Sequence, residues 1–275
     1  MGEILSFMAA PFVATLAIVA IHVYLGLHVI QREIIFVDLA LAQIAALGTT
    51  VAFILGIHPE ESLSYVFSLG FVVLGAALFA VTRVREQKIP QEAIIGITYA
   101  VATAAAVLVA DRAPGGAEHI KEILTGAILW VHWPDIARIA VVYVVVGALH
   151  YLFRKRFTQL TDHYRTGALN ASDRWWDFLF YLTFGLVIVL SVRIAGILLV
   201  FSFLVVPTSI AALYSNTWSG RLVFGWAVGV IVTVLGLYFS YVWDMPSGPA
   251  IVVLLGLFLI ALAAGRKWLP QRSTA

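Results

Sequence analysis

The chain contains no cysteine, and this absence excludes disulfide bonds and metal sites built from thiolates. The absence says nothing about the redox compartment. Charge is also scarce, because Asp, Glu, Lys and Arg make up 12% of the 275 residues, about half their usual share in soluble domains. The net charge of +2 gives no sign of a nucleic-acid partner.

Two motifs that would indicate catalytic chemistry are absent from the sequence. It has no G-x-x-x-x-G-K-[ST] loop for nucleotide phosphates and no H-E-x-x-H zinc motif. If the protein uses ATP, a separate chain must hydrolyse it. The amino-terminal residues 1–6 contain no Lys or Arg, and the first apolar run is too long for a signal-peptide core. We therefore expect no cleaved signal.

Hydrophobic residues make up 62% of the chain, which predicts an all-α polytopic transmembrane bundle in one domain, 1–275. A membrane-crossing helix needs about 20 apolar residues. We expect about nine spans, within a range of eight to ten. The count is least secure at 176–192 and 194–214, because only Arg193 separates them and they could join into one long broken helix. The candidates are 7–30, 34–57, 62–81, 91–110, 136–153, 176–192, 194–214, 221–243 and 247–264.

The distribution of basic residues predicts the orientation of these spans. With nine spans, 4 of the 17 Lys and Arg residues fall on one side, namely Arg112, Lys121, Arg138 and Arg193, and 13 fall on the other. The 13 are Arg32, Arg83, Arg85, Lys88, Arg154, Lys155, Arg156, Arg165, Arg174, Arg221, Arg266, Lys267 and Arg272. The positive-inside rule assigns the richer side to the cytoplasm. We therefore expect the amino terminus outside and the carboxyl terminus inside. On the outer side, 119–131 is apolar at helical spacing but too short to span, which favours a short re-entrant or surface helix.

Several polar residues lie within the predicted spans, where such groups are costly and often functional. The candidates for a translocation path are Asp38, Gln43, Glu92, Tyr99 and Thr103. Alternatives remain open for three of them. Asp38 and Glu92 could instead stabilise the first turns of helices, and Gln43 could bond across a helix interface among small residues.

Histidines also lie within the spans, at His22, His28 and His150. The first two are six residues apart and do not share a helix face cleanly. A metal site made by this pair alone is therefore not expected.

The apolar run 194–214 contains Pro207, which removes a backbone donor and predicts a kink near Phe203. The hydroxyls of Thr208 and Ser209 can bond carbonyls freed by the proline. A polar turn follows, and a kinked span feeding it could pass movement to the cytoplasm. Alternatively, Pro, Gly and Ser are simply common in membrane helices. The turn residues singled out for such coupling are Ser215, Asn216, Thr217, Trp218 and Arg221.

Five stretches in order resemble the membrane subunit of bacterial metal-ion ABC importers. They are GLHVIQREIIFVDLALAQIAALG (26–48), EAIIGITYAVATAAAVLV (92–109), LTGAILWVHWPDI (124–136), IAGILLVFSFLVVPTSIAAL (194–213) and LGLYFSYVWDMPSGPAIVVLLGLFLI (235–260). The most specific are the G-I-L-L-V…V-P-x-x-x-A-A block and the P-S-G-P-A-I-V start of the last span.

The resemblance implies a permease of the bacterial inner membrane that imports zinc, manganese or iron by alternating access. It implies no cofactor in this chain and ATP-Mg on a partner ATP-binding cassette subunit. A homodimeric or paired permease in membrane lipid and an extracytoplasmic metal-binding protein complete the expected assembly. The turn Ser215–Arg221 would contact the ATPase.

The second span departs from the family pattern of aspartate, then histidine four residues later, then glycine five further on. Counting back from Gly48 places Gln43 at the histidine and Leu39 at the aspartate, with Asp38 one residue early. Because glutamine binds zinc poorly, the cargo stays open. The alternatives are a permease for a metal chelate or small organic solute, and a proton-coupled secondary transporter using Asp38, Glu92 and the histidines.

Overall fold

The computed structural model describes residues 2–58, 61–83, 89–112, 121, 124–126, 128–164 and 171–266. Within these ranges every regular element is a helix, which confirms the predicted all-α bundle. The helices are α1 (Gly2–Arg32), α2 (Val37–Ile54), α3 (Ser62–Thr82), α4 (Gln91–Ala110), α5 (Trp133–Leu152), α6 (Arg154–Asp162), α7 (Ala171–Tyr214), α8 (Trp218–Val242) and α9 (Ser247–Arg266), with a 3₁₀ turn at Ile128–Trp130.

Eight of the described helices are long and apolar enough to cross a membrane, and only α6 among α1–α9 is too short. The apolar part of α7 has 43 residues. As one straight helix it would extend about 64 Å, roughly twice the hydrocarbon thickness of a bilayer. Gly196 interrupts it with φ 75° and ψ 160°, a backbone conformation that is essentially restricted to glycine.

Contacts show that α7 reverses direction at this glycine. The His28 ring of α1 lies 5.7 Å from the Phe180 ring, before the reversal, and 4.9 Å from Trp218, after it. Ile194 packs instead against the cluster of Ala10, Ala14 and Ile136, whose two alanines lie about 21–27 Å from His28 along α1. The segments 171–195 and 197–214 are therefore the two arms of a helical hairpin, and the eight candidate spans contain nine membrane-length segments.

The hairpin gives the bundle two distinct ends, which we name the His28 end and the Gly196 end. The carboxyl-terminal ends of α1, α3, α5 and the second α7 arm lie at the His28 end. The Gly196 end holds the amino-terminal part of α1 and the described residues of 124–132. The sequence placed the break between the two segments at Arg193, whereas the structure places it three residues later, because only glycine tolerates the required backbone angles.

Glycines also allow three backbone segments to meet at the Gly196 end. A methyl group on Gly196 would lie 2.8 Å from the Leu124 carbonyl oxygen and closer still to Gly126, which itself has φ 65°. A methyl group on Gly248, at the start of α9, would lie 3.0 Å from the Thr125 carbonyl oxygen.

The short outer helix predicted at 119–131 is described only in part, because residues 119, 120, 122, 123 and 127 lie outside the described ranges. Helical backbone ends at Thr125, and the following 3₁₀ turn packs against α1, α7 and α9. The described part of this segment is thus held within the bundle.

The second arm of α7 stays helical through Pro207, so the kink expected there stays a prediction. The Thr208 hydroxyl donates to the Leu204 carbonyl, four residues earlier, rather than to the Phe203 carbonyl that Pro207 leaves without its N–H donor. Gly26 allows α1 to pack closely against the second arm of α7, since a side chain at that position would collide with the Leu204 carbonyl oxygen.

Candidate functional site

Helices α2 and α4 lie side by side and run in the same direction from the His28 end. The backbone N–H of Phe36, just before α2, donates to Glu92 Oε1 in the first turn of α4 at 3.0 Å. This bond fixes the register of the two helices. Residues equally far along α2 and α4 therefore lie at the same depth.

The Glu92 carboxylate stabilises a helix start, as one interpretation of the sequence had it, but the helix is α2 rather than its own. The carboxylate lies at the positive end of the α2 dipole, where a negative charge is favourable. Its second oxygen, Oε2, is buried and has no hydrogen-bond partner among the described residues. Glu92 thus retains one free carboxylate oxygen inside the structure.

Asp38 is buried, with 2% of its surface exposed. Its Oδ1 accepts from the N–H of Leu39 at 2.7 Å. No Lys, Arg or His among the described residues pairs with its carboxylate within 4.0 Å. The bond between Leu39 and Asp38 lies in the first turn of α2, as the alternative of helix-start stabilisation by Asp38 expects. A buried carboxylate without a cationic partner also suits the passage of a cation.

Gln43 and Tyr99 lie further along the same two helices, beyond Asp38 and Glu92. Gln43 is seven residues after Phe36, and Tyr99 is seven after Glu92, so each lies about two turns, or 10 Å, along its helix. Seven residues return nearly to the same helix face. The Gln43 side chain is mostly buried, and it makes no hydrogen bond to any described residue. Its amide is therefore free to bind a passing ligand.

Thr103 continues the same stripe one turn beyond Tyr99, and its hydroxyl donates to the Tyr99 carbonyl at 2.8 Å. We call this set the α2–α4 seam: Asp38, Gln43, Glu92, Tyr99 and Thr103. All five offer oxygen atoms, which suit hard divalent cations better than zinc. The described residues contain no cluster of three His, Cys, Asp or Glu that could hold a metal ion. The oxygen donors of the seam are therefore spread along two helices and are not gathered in one cluster.

The histidines within the spans bond elsewhere. His22 shares a hydrogen bond with the Ile18 carbonyl at 2.8 Å. His28 Nδ1 pairs with the Thr161 hydroxyl at 2.8 Å. His150 lies between Tyr24 and Thr183, at 3.2 and 2.9 Å. The structure thus brings none of these rings into the α2–α4 seam.

The turn between α7 and α8 is closed by its own hydrogen bonds. Thr217 Oγ1 accepts from the N–H of Gly220 at 3.2 Å and so caps α8. Arg221 Nε donates to the Ser215 carbonyl at 2.8 Å. Asn216 is exposed, and the Trp218 ring contacts His28. The turn is a compact element at the His28 end.

Sequence reasoning missed helix α6, which it left inside a loop. The signal was present in RKRFTQLTD, where Phe157, Leu160 and Thr161 recur at helical spacing. These three residues are buried, whereas Arg154 and Lys155 are exposed. Helix α6 is therefore amphipathic and lies at the same end as the α7–α8 turn.

Comparison with known proteins gives a consistent result. A model described as "ABC 3 transport family" matches residues 4–265. The chain is 27% identical over 218 residues to the manganese transport system membrane protein MntC of Listeria monocytogenes, covering 76% of this chain and 77% of that protein. It is 24% identical over 257 residues to the manganese import system permease protein ScaB of Streptococcus parasanguinis, covering 92% and 89%.

The fold also matches a solved structure. PsaBC from Streptococcus pneumoniae in complex with Fab superposes with a TM-score of 0.74, covering 93% of this chain and 90% of that one. At 21% identity, this likeness concerns the fold alone.

Proposed function

We propose, because this chain belongs to the ABC 3 transport family, that it acts as the permease subunit of a metal ABC importer. The observation that carries the function is the family match across nearly the whole chain, together with manganese-transport relatives. The cargo is a divalent metal ion, imported by alternating access.

The chain supplies the path, and a partner supplies the energy. Its sequence has no nucleotide-binding loop, so ATP-Mg is bound and hydrolysed by a separate ATP-binding cassette subunit. A second copy of this permease and an extracytoplasmic metal-binding protein complete the assembly. The protein spans the bacterial plasma membrane several times.

The His28 end faces the cytoplasm. Every described Lys and Arg that the sequence assigned to the cytoplasm lies at this end, which supports the orientation through the positive-inside rule. These residues are Arg32, Arg83, Arg154, Lys155, Arg156, Arg174, Arg221 and Arg266. The amino terminus is then outside and the carboxyl terminus inside.

The metal ion passes along the α2–α4 seam. Asp38 and Glu92 supply negative charge near the cytoplasmic end, and Gln43 and Tyr99 supply neutral oxygens about 10 Å deeper. This donor set favours manganese over zinc, because neither imidazole nor thiolate is present in it. Weak binding suits release, since a binding protein outside can set the affinity.

The ATPase docks against the cytoplasmic end. The turn Ser215–Arg221 and helix α6 are both exposed there in part. Both contact His28 of α1, the turn through the Trp218 ring and α6 through the Thr161 hydroxyl. A displacement of either element is therefore passed to α1. Trp218 and Thr161 are the points of contact.

Co-purification with transport tests the proposal. The chain is expressed with its neighbouring genes, isolated in mild detergent and reconstituted into vesicles. We expect an ATPase subunit in equal ratio and manganese uptake that stops when that ATPase is inactivated. Uptake that persists without ATP but stops with an uncoupler would instead indicate a secondary transporter. A binding protein carrying an organic chelate would change the cargo.

A further inference from the structure

Three charged side chains meet inside the bundle at the His28 end. Asp177 Oδ1 accepts from Arg32 Nη1 at 3.2 Å, and its Oδ2 accepts from Arg83 Nη1. The side chains of Arg32 and Asp177 are 0% exposed, and that of Arg83 is 3% exposed. Arg32 ends α1, Arg83 follows α3, and Asp177 lies near the start of α7. One carboxylate thus joins three membrane-spanning segments.

The same two arginines also hold the chain at the end of α6. Arg32 Nε donates to Thr161 Oγ1 at 2.9 Å, and Arg83 Nη2 donates to the Tyr164 carbonyl at 2.8 Å. Cations are favoured at the carboxyl end of a helix, where carbonyl groups lack partners. Helix α6 is therefore attached to the Asp177 cluster through its final turn.

Aromatic rings enclose the charges and limit their movement. The Arg32 guanidinium lies 3.9 Å from the Phe180 ring centroid, and that of Arg83 lies 3.8 Å from the Tyr164 ring. The Tyr164 hydroxyl is 2.7 Å from the Tyr181 hydroxyl. Burial raises the pKa of Tyr164 to about 12, so this hydroxyl stays protonated. The Phe180 and Tyr164 rings therefore cover the two guanidinium groups.

Such an arrangement is an expensive way to hold helices together. Desolvating ion pairs is costly, and apolar side chains of similar size often pack as stably. Ion pairs differ from apolar contacts because they fix the direction and distance between the paired groups, since each guanidinium has a rigid fork of donors. A cluster of this kind makes the joined elements move as one body.

We propose that Asp177 is a positioning residue that couples α6 to α1, α3 and α7, so that an ATPase displacing α6 moves these spans together. The inference rests on the proposed function, in which an ATPase docks at this end. Asp177 need not touch the transported ion, because it acts through Arg32 and Arg83. Without it, Arg32 and Arg83 lose the carboxylate that fixes them to each other and to α7, so α6 no longer moves all three spans together and less transport accompanies each ATP hydrolysed.

The test measures manganese transported per ATP hydrolysed by the reconstituted complex. For Asp177→Asn we expect ATPase activity to persist while this ratio falls about tenfold. Thr161→Val keeps the ion pairs but removes the hydroxyl that joins Arg32 and His28 to α6, and the ratio should fall about fivefold. Thr161→Val decides the question if the aspartate variant fails to assemble.

Thr49→Val is the matched control. Thr49 is also buried and bonds across helices to Ser68, but it is remote from α6, so the ratio should equal that of the wild type. An unchanged ratio in an assembled Asp177→Asn complex, or in Thr161→Val, would overturn the inference and leave the proposed function intact. A wild-type complex without ATP-dependent transport would remove both.

Discussion

Replacing Gly196 by alanine tests the helical hairpin on which the topology depends. The residue has φ 75° and ψ 160°, a conformation that costs a non-glycine residue about 1–3 kcal/mol. The new methyl group would also lie 2.8 Å from the Leu124 carbonyl oxygen and closer to Gly126. Overpacking of this kind costs about 1–3 kcal/mol. Together these effects predict a loss of about 2–6 kcal/mol in the free energy of unfolding.

The assay is an unfolding curve of the purified protein in detergent, with the folded yield from membranes as a second readout. Gly147→Ala in α5 is the control, because no atom lies within 4 Å of the new methyl group. Alanine at such a helix position should be neutral or stabilising by up to about 1 kcal/mol. A Gly196→Ala protein within roughly 0.5 kcal/mol of the wild type would refute the reversal at this residue.

Three further outcomes are expected. Gln43→Ala should lower manganese uptake per dimer while leaving dimer content unchanged; fewer dimers with normal uptake per dimer would favour a packing role. Glu92→Ala removes the acceptor for the Phe36 N–H and should lower the free energy of unfolding by about 1 kcal/mol, as measured by denaturation; an unaltered midpoint would argue against the cap. Because the chain lacks cysteine, Arg138→Cys and Lys155→Cys each introduce a single thiol. An impermeant maleimide should label intact cells at the first position only, and the reverse pattern would invert the topology.

Sequence patterns predicted the bundle well because apolar length is a direct requirement of the membrane. They also selected Asp38, Gln43, Glu92, Tyr99 and Thr103, which the structure places along one pair of helices. The parallel register of α2 and α4 was not predictable, since it depends on a hydrogen bond between residues 56 apart in the chain. Local patterns carry no information on such pairs.

The Asp177 cluster was not predicted from the sequence. The sequence placed Arg32 and Arg83 in cytoplasmic turns, where basic residues are common, yet the structure buries both. An aspartate inside the apolar run after Trp176 was the available signal, because an intramembrane carboxylate requires a partner. Its two partners come from distant spans, so only the three-dimensional arrangement identifies them.

The reversal at Gly196 also has a consequence for biosynthesis. A 43-residue apolar stretch whose two halves are joined by a single glycine offers no polar loop that could be translocated after the first half has settled. We therefore expect the two arms to enter the bilayer together as a pair. Arg193 travels near the apex of that pair, and its charge costs about 3 kcal/mol at the bilayer centre until it reaches the Ser64 hydroxyl and the Tyr65 ring on the far side. We therefore expect insertion of the last four membrane-length segments to be favoured when α3 is already in place.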